Sequence, residues 1–265
     1  MHPRLFQFGH VAIPTYGALA ALALIAALAA AVHFARRLSL DSNKVWTLSL
    51  YAILTTLISS RLLVVIAHLS AFRQHPFWVL GLTTLHDWWI APVSFALGIA
   101  AAVLSALAEG LPLLRVADCL APAVVLALAV NRIGAFVAGL DFGTPTGAPW
   151  SVTYTSRIAA VWYRTPLGIA LHPVQLYDSA VALLIFALLA WWLPRQRQTG
   201  ELAGAALFLF GLANVFLSFY RADLTSPILS LALSIAAVLA GAALWLDRKN
   251  NAHRYTSSDD PSPAT

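Results

Sequence analysis

Seven runs of mostly apolar residues recur along this chain, near 13–36, 44–69, 91–108, 114–138, 172–193, 201–220 and 227–247. A helix crosses the hydrocarbon of a bilayer with about 20 such residues, rising about 1.5 Å with each. In lipid every backbone N–H and C=O needs an internal partner, so runs of this length specify helices. The expected fold class is an all-α membrane protein with about seven transmembrane helices. Composition agrees, with 60% hydrophobic and 10% charged residues against roughly a quarter charged in soluble domains. Residues 1–249 read as one polytopic membrane domain, leaving no room for a second, soluble one. Residues 250–265, with Ser257, Ser258, Asp259 and Asp260, read as a disordered tail. The first run lacks a basic leader and a polar cleavage site and reads as a retained helix. No internal repeat suggests a transporter built from duplicated halves.

The connections set the sidedness. One set of alternate loops holds Arg36, Arg37, Lys44, Arg115, Arg195, Arg197, Arg248, Lys249 and Arg254, which marks it as cytoplasmic. The N-terminus is then expected outside and the C-terminus inside. Two longer segments face the outer side. Ser70 to Ile90 carries Pro76, Trp78, Trp88 and Trp89, a composition suited to lying in the headgroup interface. Gly139 to Leu171 is polar, rich in Gly, Pro and Thr, and lacks an apolar run long enough to span. The net charge of +5 is thus a topology signal; no basic patch interleaves with aromatics, so nucleic acid is not an expected partner. The single cysteine, Cys119, has no partner for an internal disulfide and reads as structural.

Three arginines do not fit topology alone: Arg61, Arg132 and Arg221 lie inside or at the end of apolar runs that all cross from inside to outside. Each stands about 16 to 20 residues from its cytoplasmic end, or roughly 24–30 Å, at the depth of the outer headgroups. Charges within a span are costly and face a cavity or a partner, and the planar guanidinium fork matches phosphate oxygens. A phosphate-binding pocket open to the outer leaflet is the economical reading; snorkelling of each arginine to the interface is the competing one. Tyr16, His172, Asp141 and Asp223 are expected beside the arginines.

Two local motifs sharpen this reading. Asn131-Arg132-Ile133-Gly134-Ala135-Phe136-Val137-Ala138-Gly139-Leu140-Asp141-Phe142-Gly143 sets small residues around an embedded arginine, and small residues admit a neighbour or a ligand closely. Leu171-His172-Pro173-Val174-Gln175-Leu176-Tyr177-Asp178 starts a helix at its proline. His172 is there either a structural cap or the pocket's proton carrier.

Together these elements resemble the prolipoprotein diacylglyceryl transferases. The resemblance rests on Tyr16-Gly17, on Arg61, on Arg132-x-Gly134-x-Phe136-x-x-Gly139 closing with Gly143, on His172-Pro173-x-Gln175-Leu176-Tyr177, and on Phe219-Tyr220-Arg221-x-Asp223, in order over about residues 1–247. It implies a seven-helix enzyme of the bacterial inner membrane that moves the diacylglyceryl group of phosphatidylglycerol onto the lipobox cysteine of lipoprotein signal peptides. It implies no metal or organic cofactor. Arg132 and Arg221 would hold the phosphate, Tyr16 would line the pocket and Gly143 would shape the loop near the reacting carbon. With the local reading added, His172, Arg132 and Arg221 form the catalytic set. Tyr16, Arg61, Gly134, Gly139, Asp141, Gly143, Gln175, Tyr177 and Asp223 form the substrate-binding set.

Departures from the family's pattern are specific. Ala135 stands where the family carries asparagine, Leu140 where it carries an acid, and Ser59-Ser60 precede Arg61 in place of a glycine approach. The segment Trp89 to Gly98 lacks the His-Gly-Gly or Tyr-Gly-Gly element. Eliminating that site, the phenol of Tyr16 and the arginines leaves His172 as the candidate proton acceptor, with Asp141 behind it. The alternatives are a related phospholipid-using transferase with another acceptor and a phospholipid-binding protein without catalysis.

Overall fold

The computed structural model describes residues 3–8, 11–74, 89–196, 198–222 and 227–258. An antiparallel hairpin of β1 (Arg4–Phe8) and β2 (Val11–Pro14) opens the chain, with Phe8 opposite Val11. The long helices are α1 (Thr15–Arg37), α2 (Ser42–Ala67), α4 (Ile90–Ala108), α5 (Leu113–Ala138), α7 (Val174–Trp192), α8 (Glu201–Ser218) and α9 (Pro227–Ser258). Two short helices, α3 (Leu69–Gln74) and α6 (Arg157–Tyr163), and a sheet of β3 (Val152–Thr153) and β4 (Ala170–Leu171) complete it.

The all-α membrane fold is as expected, and each apolar run is a helix starting within two residues of its expected position. Among the described residues, α1, α2, α4, α5, α7 and α8 are long and apolar enough to cross a membrane; α9 has a shorter apolar stretch, Ser230–Leu244. That helix runs on to Ser258 and so includes residues 250–258 of the expected tail. The hairpin was not expected, and the first helix starts at Thr15 because β2 occupies 11–14. Pro76, Trp78 and Trp88 of the expected interfacial segment lie outside the described residues.

Helix α5 is central. It packs on α1, α7 and α8, while α9 lies on α8, and α4 pairs with α2 beside α1. Lipid tails are as apolar as leucine, so helices in a membrane associate through close backbone approach and not through solvent exclusion. Small side chains make the seams accordingly: Ala31 and Ala35 of α1, Ala123, Ala129 and Ala135 of α5 and Ala182 of α7 are all buried. On the outer pair a Cβ at Gly241 would meet the backbone N of Phe208 at 2.5 Å, so α9 can seat on α8 only with glycine there. Side chains add two crossings: Ser179 Oγ donates to the Ala129 carbonyl (3.0 Å) and Cys119 Sγ to the Ala31 carbonyl (3.3 Å). Cys119 is wholly buried, as a packing residue is.

At the end of the bundle away from His172, polar groups finish the helices. Asp41 caps α2 by accepting from Asn43 N (2.9 Å), and Lys44 Nζ reaches Glu109 Oε2 at the end of α4 (3.1 Å). Asp118, fully buried in α5, accepts from the backbone N–H groups of Gly200 (2.6 Å) and Ala203 (2.9 Å) and so caps α8 from another helix. A carboxylate at a helix N-terminus meets unpaired donors and the positive end of the dipole. Asp118→Ala strands two buried N–H groups, and a loss of about 2–4 kcal/mol is expected. A melting curve in detergent reads it; an unchanged midpoint would show that water replaces the carboxylate at no cost.

Candidate active site

Three helix ends are laced together by short extended backbone. The chain leaves α5 at Gly139, whose φ of +87° lets its N–H reach the Ala135 carbonyl (2.9 Å) and that of Phe136 while Leu140 N–H also bonds Ala135. This is the six-to-one helix stop that favours glycine. Asp141 follows, also left-handed at φ +55°, a conformation that Asp tolerates better than most residues. Beyond it the chain runs between two partners. Ala222 N–H bonds Phe142 O (3.2 Å) and Thr144 N–H bonds Tyr220 O (2.8 Å) on one side, while His172 N–H bonds Thr144 O (3.0 Å) on the other. Gly143 bridges Arg221 in this ladder, and a Cβ there would lie 2.4 Å from His172 O. The motifs around 132–143, 171–178 and 219–222 therefore meet although nearly 90 residues separate the first from the last.

The lacing delivers two arginines to one carboxylate. Arg132 Nε lies 3.2 Å and Arg221 Nη2 2.5 Å from the same oxygen, Asp178 Oδ2. Arg132 Nη1 also ion-pairs with Asp141 Oδ2. The Arg221 and Asp178 side chains are each 9% exposed, whereas Asp141 is a third exposed on its loop. Arg221 Nε is buried and has no hydrogen-bond acceptor. Two cations and two anions balance, so the group carries no net charge where the helix ends bury it. Asp178 was missed as a site residue from sequence; its signal was a lone acid about one turn into an apolar helix.

The remaining candidates fall into three groups. His172 stands by the cluster, its ring packed edge-on to Tyr220 (5.2 Å between centroids) and its Nδ1 3.4 Å from the Tyr177 hydroxyl. That hydroxyl also accepts from Trp150 Nε1 at 2.6 Å. Tyr16 lies on the α1 side, where its hydroxyl accepts from Nδ2 of Asn131, the residue before Arg132 (3.4 Å). Gly134 keeps α1 close there: a Cβ on it would stand 2.9 Å from Leu19 Cβ. Burial pushes the nearby Tyr163 hydroxyl up, and Tyr16 adds to it.

Gln175 belongs to the wall behind the site. It is fully buried, and its Nε2 donates to the Leu140 carbonyl (2.7 Å) and to the Tyr154 hydroxyl (3.0 Å), tying the start of α7 to the end of α5. Gln175 Oε1 is left without a donor. Burial pushes the Tyr154 hydroxyl up while Gln175 draws it down. Gly139 packs against Tyr154 and Ala159. Arg61 is carried by α2, which packs on α4 and α1, and it takes no part in the three ion pairs of the cluster. Asp223 lies outside the described residues. Among the described residues no group of three His, Cys, Asp or Glu side chains could hold a metal.

Comparison with known proteins joins these residues to a family. A family model described as prolipoprotein diacylglyceryl transferase matches residues 3–246. The chain is 26% identical to a phosphatidylglycerol–prolipoprotein diacylglyceryl transferase of Clostridium tetani, over 84% of this chain and 86% of that one. It is 26% identical to the protein of the same name in Finegoldia magna, over 92% and 94%. A Bordetella parapertussis protein of that name is 34% identical over about half of each chain. The match takes in the hairpin, the lacing and both arginines, and with it the chain belongs to the prolipoprotein diacylglyceryl transferase family.

Proposed function

We propose that this protein transfers the diacylglyceryl group of phosphatidylglycerol to the lipobox cysteine of prolipoproteins in the bacterial inner membrane. The observation that carries the reading is the convergence of Arg132 and Arg221 on one anionic oxygen, that of Asp178. A phosphodiester oxygen offers the same partner to the same two forks. In the reaction the thiolate sulfur bonds to the glycerol carbon, the carbon–oxygen bond to phosphate breaks, and its electron pair stays on the phosphate oxygen. Glycerol phosphate leaves with one more negative charge than the diester had. Fixed guanidinium groups lower the barrier where that charge develops. The thiol proton goes to a base, for which His172 is the candidate.

One departure from the family's pattern is offset in space. The acid displaced from 140 to 141 still reaches Arg132, because the left-handed backbone at Asp141 turns its side chain back toward α5. The apolar segment Trp89 to Gly98 favours a second reading, a related transferase with a different acceptor. Expression in a bacterial strain depleted of its own diacylglyceryl transferase separates the two. Rescue of growth, with lipid-modified lipoprotein in the membrane, is expected; failure to modify any lipobox cysteine, with the protein folded in the membrane, would leave the second reading.

The reaction also requires the cluster on the outer side, with the N-terminus outside. Cysteine substituted at Ser39 should be labelled by an impermeant reagent only from the cytoplasmic side, and cysteine at Ser151 only from the outer side. Labelling of both from one side would overturn this orientation.

A further inference from the structure

At the end of the bundle away from His172, a groove of about 480 Å³ lies between the last turns of α1 and the first turns of α2. Ala29, Val32 and Arg36 line its α1 side, and Ser42, Asn43 and Trp46 its α2 side. Spacings of three and seven on α1, and of four between Ser42 and Trp46 on α2, put each set on one helix face. The core takes other faces of the same turns, where Ala31, Phe34 and Ala35 of α1 and Val45 and Leu48 of α2 are buried. The groove therefore has an apolar floor, Ala29 and Val32, and a rim on which Arg36 and Trp46 are both exposed. Arg36 makes none of the ion pairs found among the described residues. Its charged neighbours are engaged: Lys44 pairs with Glu109 (3.1 Å), and Asp41 accepts from the N–H of Asn43 (2.9 Å). Arg37, next in the chain, is exposed as well. Helix α1 separates Arg36 from Tyr16 by about 30 Å at the helical rise, so this groove is no part of the catalytic cluster.

We infer that this groove holds an anionic phospholipid from the leaflet remote from the active site, as a resident lipid and not as the one consumed. The guanidinium fork of Arg36 suits two phosphate oxygens. The indole of Trp46 suits the level of the headgroups, where one end of a side chain is apolar and the other wet. Ser42 and Asn43 add hydrogen-bonding side chains for a glycerol backbone or headgroup hydroxyl. Ala29 and Val32 are small, which leaves room for the start of an acyl chain along α1. A basic pocket between helices selects anionic headgroups; the adjacent Arg36 and Arg37 attract net negative charge and repel the ammonium of choline. A free phosphate would meet the arginine and leave the apolar floor unused. A lipid seated there bridges α1, which carries Tyr16, to α2, which carries Arg61.

The test places the full chain in phosphatidylcholine nanodiscs doped with one of two diazirine-tailed probes, phosphatidylglycerol or phosphatidylcholine, and maps the crosslinks by mass spectrometry. The phosphatidylglycerol probe is expected to label the stretch from Ala29 to Trp46 about fivefold or more above the phosphatidylcholine probe, the preference that one basic side chain gives an anionic headgroup. Arg36→Gln is expected to abolish that preference. Val32→Trp, which fills the floor and keeps the arginine, serves should the first variant fail to fold, and it is expected to cut the labelling about as far. Equal labelling by the two probes would mean bulk lipid and would overturn the inference, as would an unchanged preference in a folded variant. Inorganic phosphate in large excess is expected to leave the labels in place; displacement by it would make this a small-anion site and overturn the lipid assignment. Nanodiscs offer lipid to both ends of the bundle, so the result does not depend on which end faces the cytoplasm. Crosslinking needs no turnover, so a protein that transfers nothing can still carry these labels, and an active one can lack them.

Discussion

Arg221→Lys is expected to lower turnover about 10²–10³-fold while the protein stays folded, and Arg132→Lys should do the same. Each lysine keeps a charge but offers a point donor where the site uses a planar fork. Removing one preorganised donor from a developing oxyanion costs rates of this size. Arg221 is the more demanding position, since its guanidinium is 9% exposed and is held at 2.5 Å by Asp178. Arg61→Lys should be milder, because Arg61 stands outside the three ion pairs of the cluster. A transfer assay with phosphatidylglycerol and a lipobox peptide reads all three. Full activity in every variant would mean that the arginines are interfacial anchors.

His172→Gln is expected to reduce turnover about 10²–10⁴-fold with phospholipid binding retained. The structure makes this substitution a clean one. The histidine's fold-holding bonds are made by its backbone, N–H to Thr144 O and C=O to Val174 N–H, whereas its ring meets Tyr177 and Tyr220. Glutamine keeps those backbone bonds and loses the proton acceptor. Asp141, the other candidate, already has an oxygen engaged by Arg132. Near-normal turnover in the glutamine variant would remove His172 from the mechanism, and loss of folded protein would return it to a structural role.

How far the sequence could be read follows from which physical quantities it encodes. Helix existence was legible because length and apolarity alone decide it in lipid, and the run near 114–138 became α5 at Leu113–Ala138. Depth is, in sequence, a count of residues along a helix. The azimuth around the bundle was not legible in this way. Arg61, Arg132 and Arg221 share a depth in sequence, yet the cluster's ion pairs join only the last two, because α5 and α8 pack together while α2 pairs with α4. Asp178 was passed over for the same reason: its importance lies in two partners, one on α5 and one just past the end of α8. Sequence places Gln175 in the substrate-binding set, while its burial and its bond to the Leu140 carbonyl depend on how α5 ends. The hairpin did leave a signal, a Gly-His pair in the sequence between short apolar segments, hidden by proximity to a stronger helical run.

The carboxylate of Asp118 has a consequence for biogenesis. A helix that emerges early carries an acid whose donors, Gly200 and Ala203, are made 82 and 85 residues later. While translation is between them, that acid sits in an apolar segment without its partners, at a cost for any state in which α5 has already taken its final seat. Release of α8 from the ribosome supplies the missing N–H groups and locks the middle of the chain to its last third. The bundle thereby acquires an order of assembly, in which the half carrying Arg132 is completed only once the half carrying Arg221 has arrived.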